Sequence, residues 1–436
     1  MSRAWSLALP VVTVLVVTYA LLVAGVPRKV VGARIYGGPT EGTAKLSLRV
    51  ESVRREGESE APFWNGPLSV QAHALGTAPV ASSALHGVSG VVDVELPFAR
   101  PVHGPVNVEV RDASGSLLAG GELLLNATRW ALRARRRGGW IRGRADGVFV
   151  VSVAPERGAF VVGSADPLLI RVERSGDPAP GVALTISAEG ARLNGVAGLH
   201  TDARGRARVM FEPSELNPTL RVEAHGSDAQ SGLIDTGVPV VPGGFHGTAT
   251  ATGVRVESAV PRSEAFFSVV SDRGRVLGGV LALASNGHGG SLATVELPAL
   301  PHPAWLVLSS DVDLNSAATI GWPLDVGPEP AQTFDVPDVL LLDGLPAAFQ
   351  REQERRSRVR WLSASFIAVA FALSVALLVL RVRAADRDIS QHLREGLEAE
   401  VAARVAPRRA LSLLVALLTL GLGFIALGLI VAARAR

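Results

Sequence analysis

The chain contains no cysteine. That excludes disulfide staples, thiolate metal sites, iron–sulfur clusters and cysteine nucleophiles. Lysine is almost absent too: Lys29 and Lys45 are the only two among 43 basic residues, and the rest are arginine. Abundant Ala, Gly, Val and Arg is what GC-rich bacterial coding produces, so an arginine cluster here says little about nucleic acid, and no nucleic-acid partner is expected. Three stretches lack charge altogether: Ala4–Val26, Trp361–Leu380 and Ala410–Ala432 hold no Asp, Glu, Lys or Arg. Each has about the 20 residues that carry a helix across about 30 Å of hydrocarbon. A charge at the centre of such a span costs roughly 3 kcal/mol, which is why its absence over these lengths carries information. Catalytic signatures are missing as well: the chain shows no G-x-S-x-G, no P-loop and no H-E-x-x-H spacing. A non-enzyme without cofactor or metal is therefore expected.

What is present points to β-structure. Gly 46 and Pro 27 punctuate short runs rich in Val, Leu and Ala, while aromatic residues make up 5%. Short strands between frequent turns fit sandwiches better than helical bundles. A first sandwich is expected over 40–127, where Leu46-Ser47-Leu48-Arg49-Val50 and Val106-Asn107-Val108-Glu109-Val110 alternate as half-buried strands should. Asp112–Gly115 reads as a hairpin turn. An Arg-rich linker follows at 128–146. A third sandwich is expected over 244–327, then a Pro/Asp/Glu-rich linker at 328–345. Val94-Glu95-Leu96-Pro97 is echoed by Val295-Glu296-Leu297-Pro298, consistent either with a shared sandwich design or with chance.

Between them, 147–226 has seven short runs, from Val148–Val153 to Thr219–Ala224, the strand count of an immunoglobulin-like sandwich. Its Pro178-Ala179-Pro180-Gly181-Val182-Ala183-Leu184 strand entry and Thr201-Asp202-Ala203-Arg204-Gly205-Arg206-Ala207 hairpin resemble those of bacterial Ig-like and macroglobulin-like domains. The Asp202 carboxylate can close an Asx turn while Gly205 takes a positive φ. The resemblance implies a β-sandwich and no activity. The Cys-Gly-Glu-Gln thioester of macroglobulins proper is impossible without cysteine.

The ends supply the membrane elements: residues 1–27 as a transmembrane helix, 346–382 as a juxtamembrane and transmembrane helix, and 410–433 as a last span. For the first, a signal anchor is favoured over a cleaved signal peptide, because the apolar run exceeds the usual core and no clean A-x-A follows it. Ala368, Ala372 and Ala376 form a small-residue stripe that either lets another helix approach closely or reflects only the abundance of Ala in this chain. Residues 386–406 read as an amphipathic helix whose stripe is Ile389, Leu393, Leu397, Val401 and Val405. Cations balance eight against eight across the spans, so the positive-inside rule gives no orientation.

Among the candidate contacts, Arg133, Arg135, Arg136, Arg137 and Arg142 lie in the densest charge run and could grip a polyanion or lipid headgroups, or could be solvated arginines of an exposed strand. The nine histidines show no metal-ligand spacing. Asp311, Asp313 and Asn315 alternate as in a calcium loop but lack its later Gly and Glu.

The expectation is a mainly β protein with tandem Ig-like β-sandwich domains between transmembrane α-helices, having three spans and a C-terminal helical hairpin. It would sit multi-pass in a bacterial inner membrane with its large domain in the periplasm. Its role would be non-catalytic binding or scaffolding. The alternative is an accessory subunit of a transport or envelope-assembly complex. Its partners would be the lipid bilayer and another membrane or envelope protein.

Overall fold

The computed structural model describes residues 29–394, apart from 38–43, 86–89, 103, 126–134, 138, 144–146, 228–229, 251, 272–273, 300–302, 315–317, 325–328, 332 and 336–338, together with residues 12, 15, 19, 420–421 and 423–425. The chain forms two compact units. One comprises Val31–Arg54 and Ala61–Leu345; the other comprises Met1–Val30, Arg55–Glu60 and Pro346–Arg436.

The first unit is built of strands. Its first sandwich uses β1 (Val30–Gly37), β2 (Lys45–Glu56), β3 (Ser59–Pro62), β4 (Leu68–Ala74), β5 (Val80–Leu85), β6 (Val91–Pro97), β7 (Gly104–Arg111) and β8 (Leu117–Leu125). One sheet runs β3-β2-β1, with β6 also on β2; the other runs β5-β4-β7-β8. Alternate residues Val106, Val108 and Val110 are buried while Asn107 and Glu109 are exposed, the half-buried pattern that the sequence predicts. Strand β2 departs from that pattern. Leu46, Leu48 and Val50 enter the core, yet the polar side also lies buried, with Ser47 at 3% and Arg49 at 0% exposure. Something covers the second face, and it proves to be the third sandwich.

After β9 (Arg135–Arg137) and β10 (Ile141–Arg142), the second sandwich uses β11 (Phe149–Pro155), β12 (Phe160–Val161), β13 (Asp166–Arg174), β14 (Asp177–Pro178), β15 (Ala183–Glu189), β16 (Ala191–Asn194), β17 (Arg206–Pro213), β18 (Thr219–His225), β19 (Ser231–Gly237) and β20 (Val240–Val241). The strands β11-β13-β17-β16, extended by the short β10 on β11 and β14 on β13, face the sheet β15-β18-β19. That is the four-plus-three order of an immunoglobulin constant-type sandwich. Phe160 and Phe211 pack at 4.7 Å between ring centroids in its core. The hairpin into β17 closes as the sequence predicts. Asp202 Oδ1 accepts from the backbone N–H groups of Arg204 and Arg206 at 2.8 and 2.9 Å, and Gly205 has φ +68°.

The third sandwich uses β21 (Phe245–Ala249), β22 (Gly253–Ser258), β23 (Glu264–Ser271), β24 (Gly274–Ala282), β25 (Ala284–Ser285), β26 (Ser291–Glu296), β27 (Ala304–Ser309) and β28 (Ile320–Pro323). Its sheets run β21-β22-β26-β25 and β24-β23-β27-β28. The first sandwich has the same order: β1-β2-β6 matches β21-β22-β26, and β5-β4-β7-β8 matches β24-β23-β27-β28. The echoed Val-Glu-Leu-Pro segments end the corresponding strands β6 and β26, the second running two residues past Glu296.

The sequence reads 128–146 and 328–345 as linkers, and both contribute strands. β29 (Thr333–Asp335) pairs antiparallel with β9. β30 (Val339–Asp343) pairs antiparallel with β1, placing Arg34 opposite Asp343 and Gly37 opposite Val339. Its Val-Leu-Leu-Leu run is short and apolar, so it adds a strand to the first sheet rather than staying in solvent. Residues before β1 and residues after β30 therefore leave the sheet from the same end of adjacent strands. The Gly344 N–H donates to Ala33 O, and a Cβ at Gly344 would meet Leu118 O at 2.1 Å, so this position accepts only glycine.

The helix α1 spans Leu345–Arg394, 50 residues and about 75 Å at 1.5 Å per residue. The Asp343 carboxylate accepts from the Leu345 N–H at 2.9 Å and so caps its start. Among the described residues this is the one helix long and apolar enough to cross a membrane, against the three spans expected. The first and third apolar stretches lie largely outside the described residues. The span runs without a break into the segment expected to be a separate amphipathic helix, at least to Arg394; no Gly or Pro interrupts 381–394. Within this unit Phe371 meets Phe424 edge to face at 5.3 Å, so the two C-terminal apolar stretches touch. Arg55 lies over the Phe349 ring at 5.1 Å, and Lys29 pairs with Glu56 at 3.2 Å.

Candidate functional site

Burial of charge is concentrated where the sandwiches meet, and these junctions are the chemically distinctive places in the described residues. At the first, Ser47 and Arg49 on β2 and Asp93 on β6 face β23 and β24. The Arg49 Nε donates to Asp93 Oδ2 at 3.2 Å, and Arg275 from β24 donates to Asp93 Oδ1. The remaining Arg49 donors reach the carbonyls of Phe267, Gly279 and Val312 at 2.6, 3.1 and 3.0 Å. Arg275 also donates to Ser47 Oγ at 2.5 Å and Ser268 Oγ at 3.0 Å. Both guanidinium side chains are at 0% exposure. Desolvating such ions costs several kcal/mol each unless their donors are matched, and here they are matched closely. Beside them Val91 packs into an apolar cluster with Phe266, Val270, Val307 and Leu314. The first and third sandwiches are thus joined by an interface with a buried ionic centre.

The second junction joins the second and third sandwiches. β12 pairs in parallel with β20, and Ala159, Val161 and Val241 enter the core of the third sandwich around Phe245 and Trp322. Arg157 stacks over the Trp322 ring at 4.1 Å, pairs with Asp166 at 3.3 Å and donates to Gly247 O. Burial pulls the Arg157 pKa down from its ordinary value, opposed by the Asp166 carboxylate. His246 Nε2 lies 3.1 Å from Asp166 Oδ2 without hydrogen-bond alignment, and the His246 ring meets Trp322 edge to face.

The third junction holds the returning chain to the second sandwich. Arg171 lies under the Trp140 ring at 4.6 Å, and the Trp140 indole N–H donates to Glu329 Oε2 at 3.2 Å. Glu329 also accepts from Arg206, while the Ala331 N–H donates to Glu156 O at 2.8 Å. Desolvation pushes the Glu329 carboxyl up, and the hydrogen bonds from Arg206 and Trp140 outweigh it, so its pKa sits below the ordinary value.

Of the residues singled out from sequence, Ala368, Ala372 and Ala376 lie on an exposed face of α1; Ser363, Ile367 and Ala370 are the buried ones there. Ile389 and Leu393 belong to α1, and Leu397, Val401 and Val405 lie outside the described residues. Arg133 is also outside them. Arg135, Arg136 and Arg137 form β9, opposite Asp335, Phe334 and Thr333. Arg142 is exposed and 3.7 Å from Glu173. Sequence reasoning missed Arg49, Asp93, Arg275, Arg157, Asp166 and His246. No signal in the sequence separated them: Arg49 and Asp93 sit at the polar positions of alternating strands that carry other charged residues as well, such as Glu51 in β2 and Glu95 in β6. Among the described residues no group of three His, Cys, Asp or Glu could hold a metal ion.

No family model and no curated protein matches the chain. Solved structures do resemble it. The adhesin InvE of Yersinia pseudotuberculosis aligns over 52% of this chain and 66% of its own, at 12% identity and TM-score 0.17. The D00-D0 domain of intimin aligns over 49% of this chain and 100% of its own, at 13% identity and TM-score 0.18. The Escherichia coli adhesin FdeC aligns over 70% of this chain and 96% of its own, at 11% identity and TM-score 0.17. The chain spans less than two thirds of InvE and only 40% of the S-layer protein rSbsC that it also matches. Such scores carry no argument about activity. The Ig-like assignment rests on the strand orders above.

Proposed function

We propose that this chain is a membrane-anchored protein of the bacterial envelope, with three Ig-like sandwiches that bind or scaffold another molecule and carry out no catalysis. The observation that carries the reading is the pairing of β1 with β30. The segment leading in from the N-terminal apolar stretch and the segment leading into α1 leave one sheet side by side, at the strand separation of about 4.8 Å. Two membrane-directed ends held together by a sheet suit a domain mounted on a bilayer. The buried charge at the junctions supports a body that keeps its sandwiches in fixed register, as a presenting scaffold needs.

In this reading all three apolar stretches are spans and the β-region is periplasmic. Protease added to intact spheroplasts would then digest exposed loops of the β-region, whereas protection until lysis would reject that orientation. A second reading, an accessory subunit of a membrane complex, is favoured by the exposed Ala368, Ala372 and Ala376 face. A stoichiometric membrane partner recovered in mild detergent, and lost on changing the three alanines to Leu, would select it.

A further inference from the structure

Resting on the reading of Trp361–Leu380 as a span, we propose that the nearly three helical turns before it form a binding collar for anionic phospholipid headgroups. The apolar stretch holds 20 uncharged residues between Arg360 and Arg381, about 30 Å of helix, so both arginines fall at headgroup depth. Trp361 and Leu362 are 74% and 71% exposed, as side chains facing lipid would be. Just before them, Arg351–Arg360 carries five arginines and two glutamates.

Those glutamates do not cancel the charge. Glu352 accepts from Arg355 at 2.7 Å and from Arg356 at 3.0 Å, so one carboxylate serves two guanidiniums. The hydrogen bond from Arg355 holds the Glu352 pKa below its ordinary value against desolvation, which keeps the carboxylate charged. Arg358 is 80% exposed and 3.8 Å from Glu354, itself 53% exposed, a geometry worth little. Arg360 has no acidic partner among the described residues. At 100° per residue Arg351, Arg355 and Arg358 share one face while Arg356 and Arg360 lie on another, so positive charge surrounds most of the helix. A net positive ring at headgroup depth is what an anionic lipid surface attracts.

The test uses the full chain in mixed bilayers with spin-labelled lipids. The fraction of motionally restricted label is compared for phosphatidylglycerol and phosphatidylcholine in the wild type, R358Q/R360Q and R358K/R360K. The expected result is a severalfold preference for phosphatidylglycerol that falls to about one in the glutamine variant and survives in the lysine variant. Equal restriction of both lipids in the wild type, or a preference unchanged in R358Q/R360Q, would overturn the collar while leaving the span intact. Restriction of neither lipid would overturn the span itself. A preference abolished by inorganic phosphate, but not by chloride at equal ionic strength, would assign the arginines to free anions and overturn the lipid as occupant. Both glutamine substitutions are at helical positions with similar propensity, so the helix is retained.

Discussion

Asp93 and Arg275 belong to different sandwiches, are far apart in sequence, and form an ion pair with the guanidinium at 0% exposure. Asp93 also accepts from Arg49, so one carboxylate is shared by two buried cations. Replacing it with Asn keeps the shape and removes the charge. D93N should therefore cost about 3–5 kcal/mol in urea unfolding, the range for leaving buried charges without their partner. Conservative exchange of a solvated pair, such as E109Q beside Arg111, should cost under about 1 kcal/mol. Similar losses in the two variants would show that the buried centre contributes no more than a surface pair.

Two turns of the second sandwich, the one between β13 and β14 and the Asx turn before β17, separate two reasons for glycine. Gly176 has φ +94° and open space where a Cβ would go. Gly205 has φ +68°, and a Cβ there would meet Val172 O at 2.6 Å and Ala179 N at 2.7 Å. G176A should cost about 1–2 kcal/mol for the left-handed backbone alone. G205A should cost clearly more, because backbone atoms of β13 and the β14 turn must move. Equal losses in thermal unfolding would remove the close approach from the account.

Much of this architecture was legible in the sequence, for a physical reason. Residues 106–110 alternate because one face meets the core and the other meets water, and periodicity reports that division. The Asp202–Gly205 hairpin was legible because its chemistry is local. Ser47 and Arg49 were misleading because their burial is made by β23 and β24, more than 200 residues away, and alternation says nothing about a second covering layer. β30 was hidden by its neighbours: Pro, Asp and Glu surround a five-residue strand that pairs with β1 and packs Leu341 and Leu342 against the first core. The junction cluster of Arg157, Asp166 and His246 left no spacing to find, because its members come from two sandwiches.

Tyr36 gives the alkaline limb a specific cause. It is buried, and its hydroxyl donates to Glu51 at 2.9 Å. Burial first, then the Glu51 charge, raises its pKa well above the ordinary value of 10.0. A raised folded-state pKa means the stabilisation is complete below the unfolded value and is lost as pH climbs beyond it. Stability should therefore fall as pH rises above about 10, and Y36F should flatten that fall. With two lysines and two tyrosines in the chain, few other groups titrate there. An identical slope in Y36F would assign the alkaline loss elsewhere.

The contact of Phe371 with Phe424 can be tested cleanly because the chain has no cysteine of its own. In F371C/F424C the only two thiols lie where the rings meet edge to face at 5.3 Å. A short bis-maleimide should join them within one chain, producing a faster-migrating monomer after denaturing electrophoresis. L373C/F424C is the control, since Leu373 lies about 200° round the helix from Phe371 and is exposed. It should crosslink poorly within the chain. Should the thiol at position 373 react with a second molecule instead, the product would be a dimer or a heavier adduct, which separates a helix hairpin from an association between chains. Equal intramolecular yields from the two pairs would mean that the C-terminal stretches approach without a fixed rotation, and the aromatic contact would then not define the hairpin.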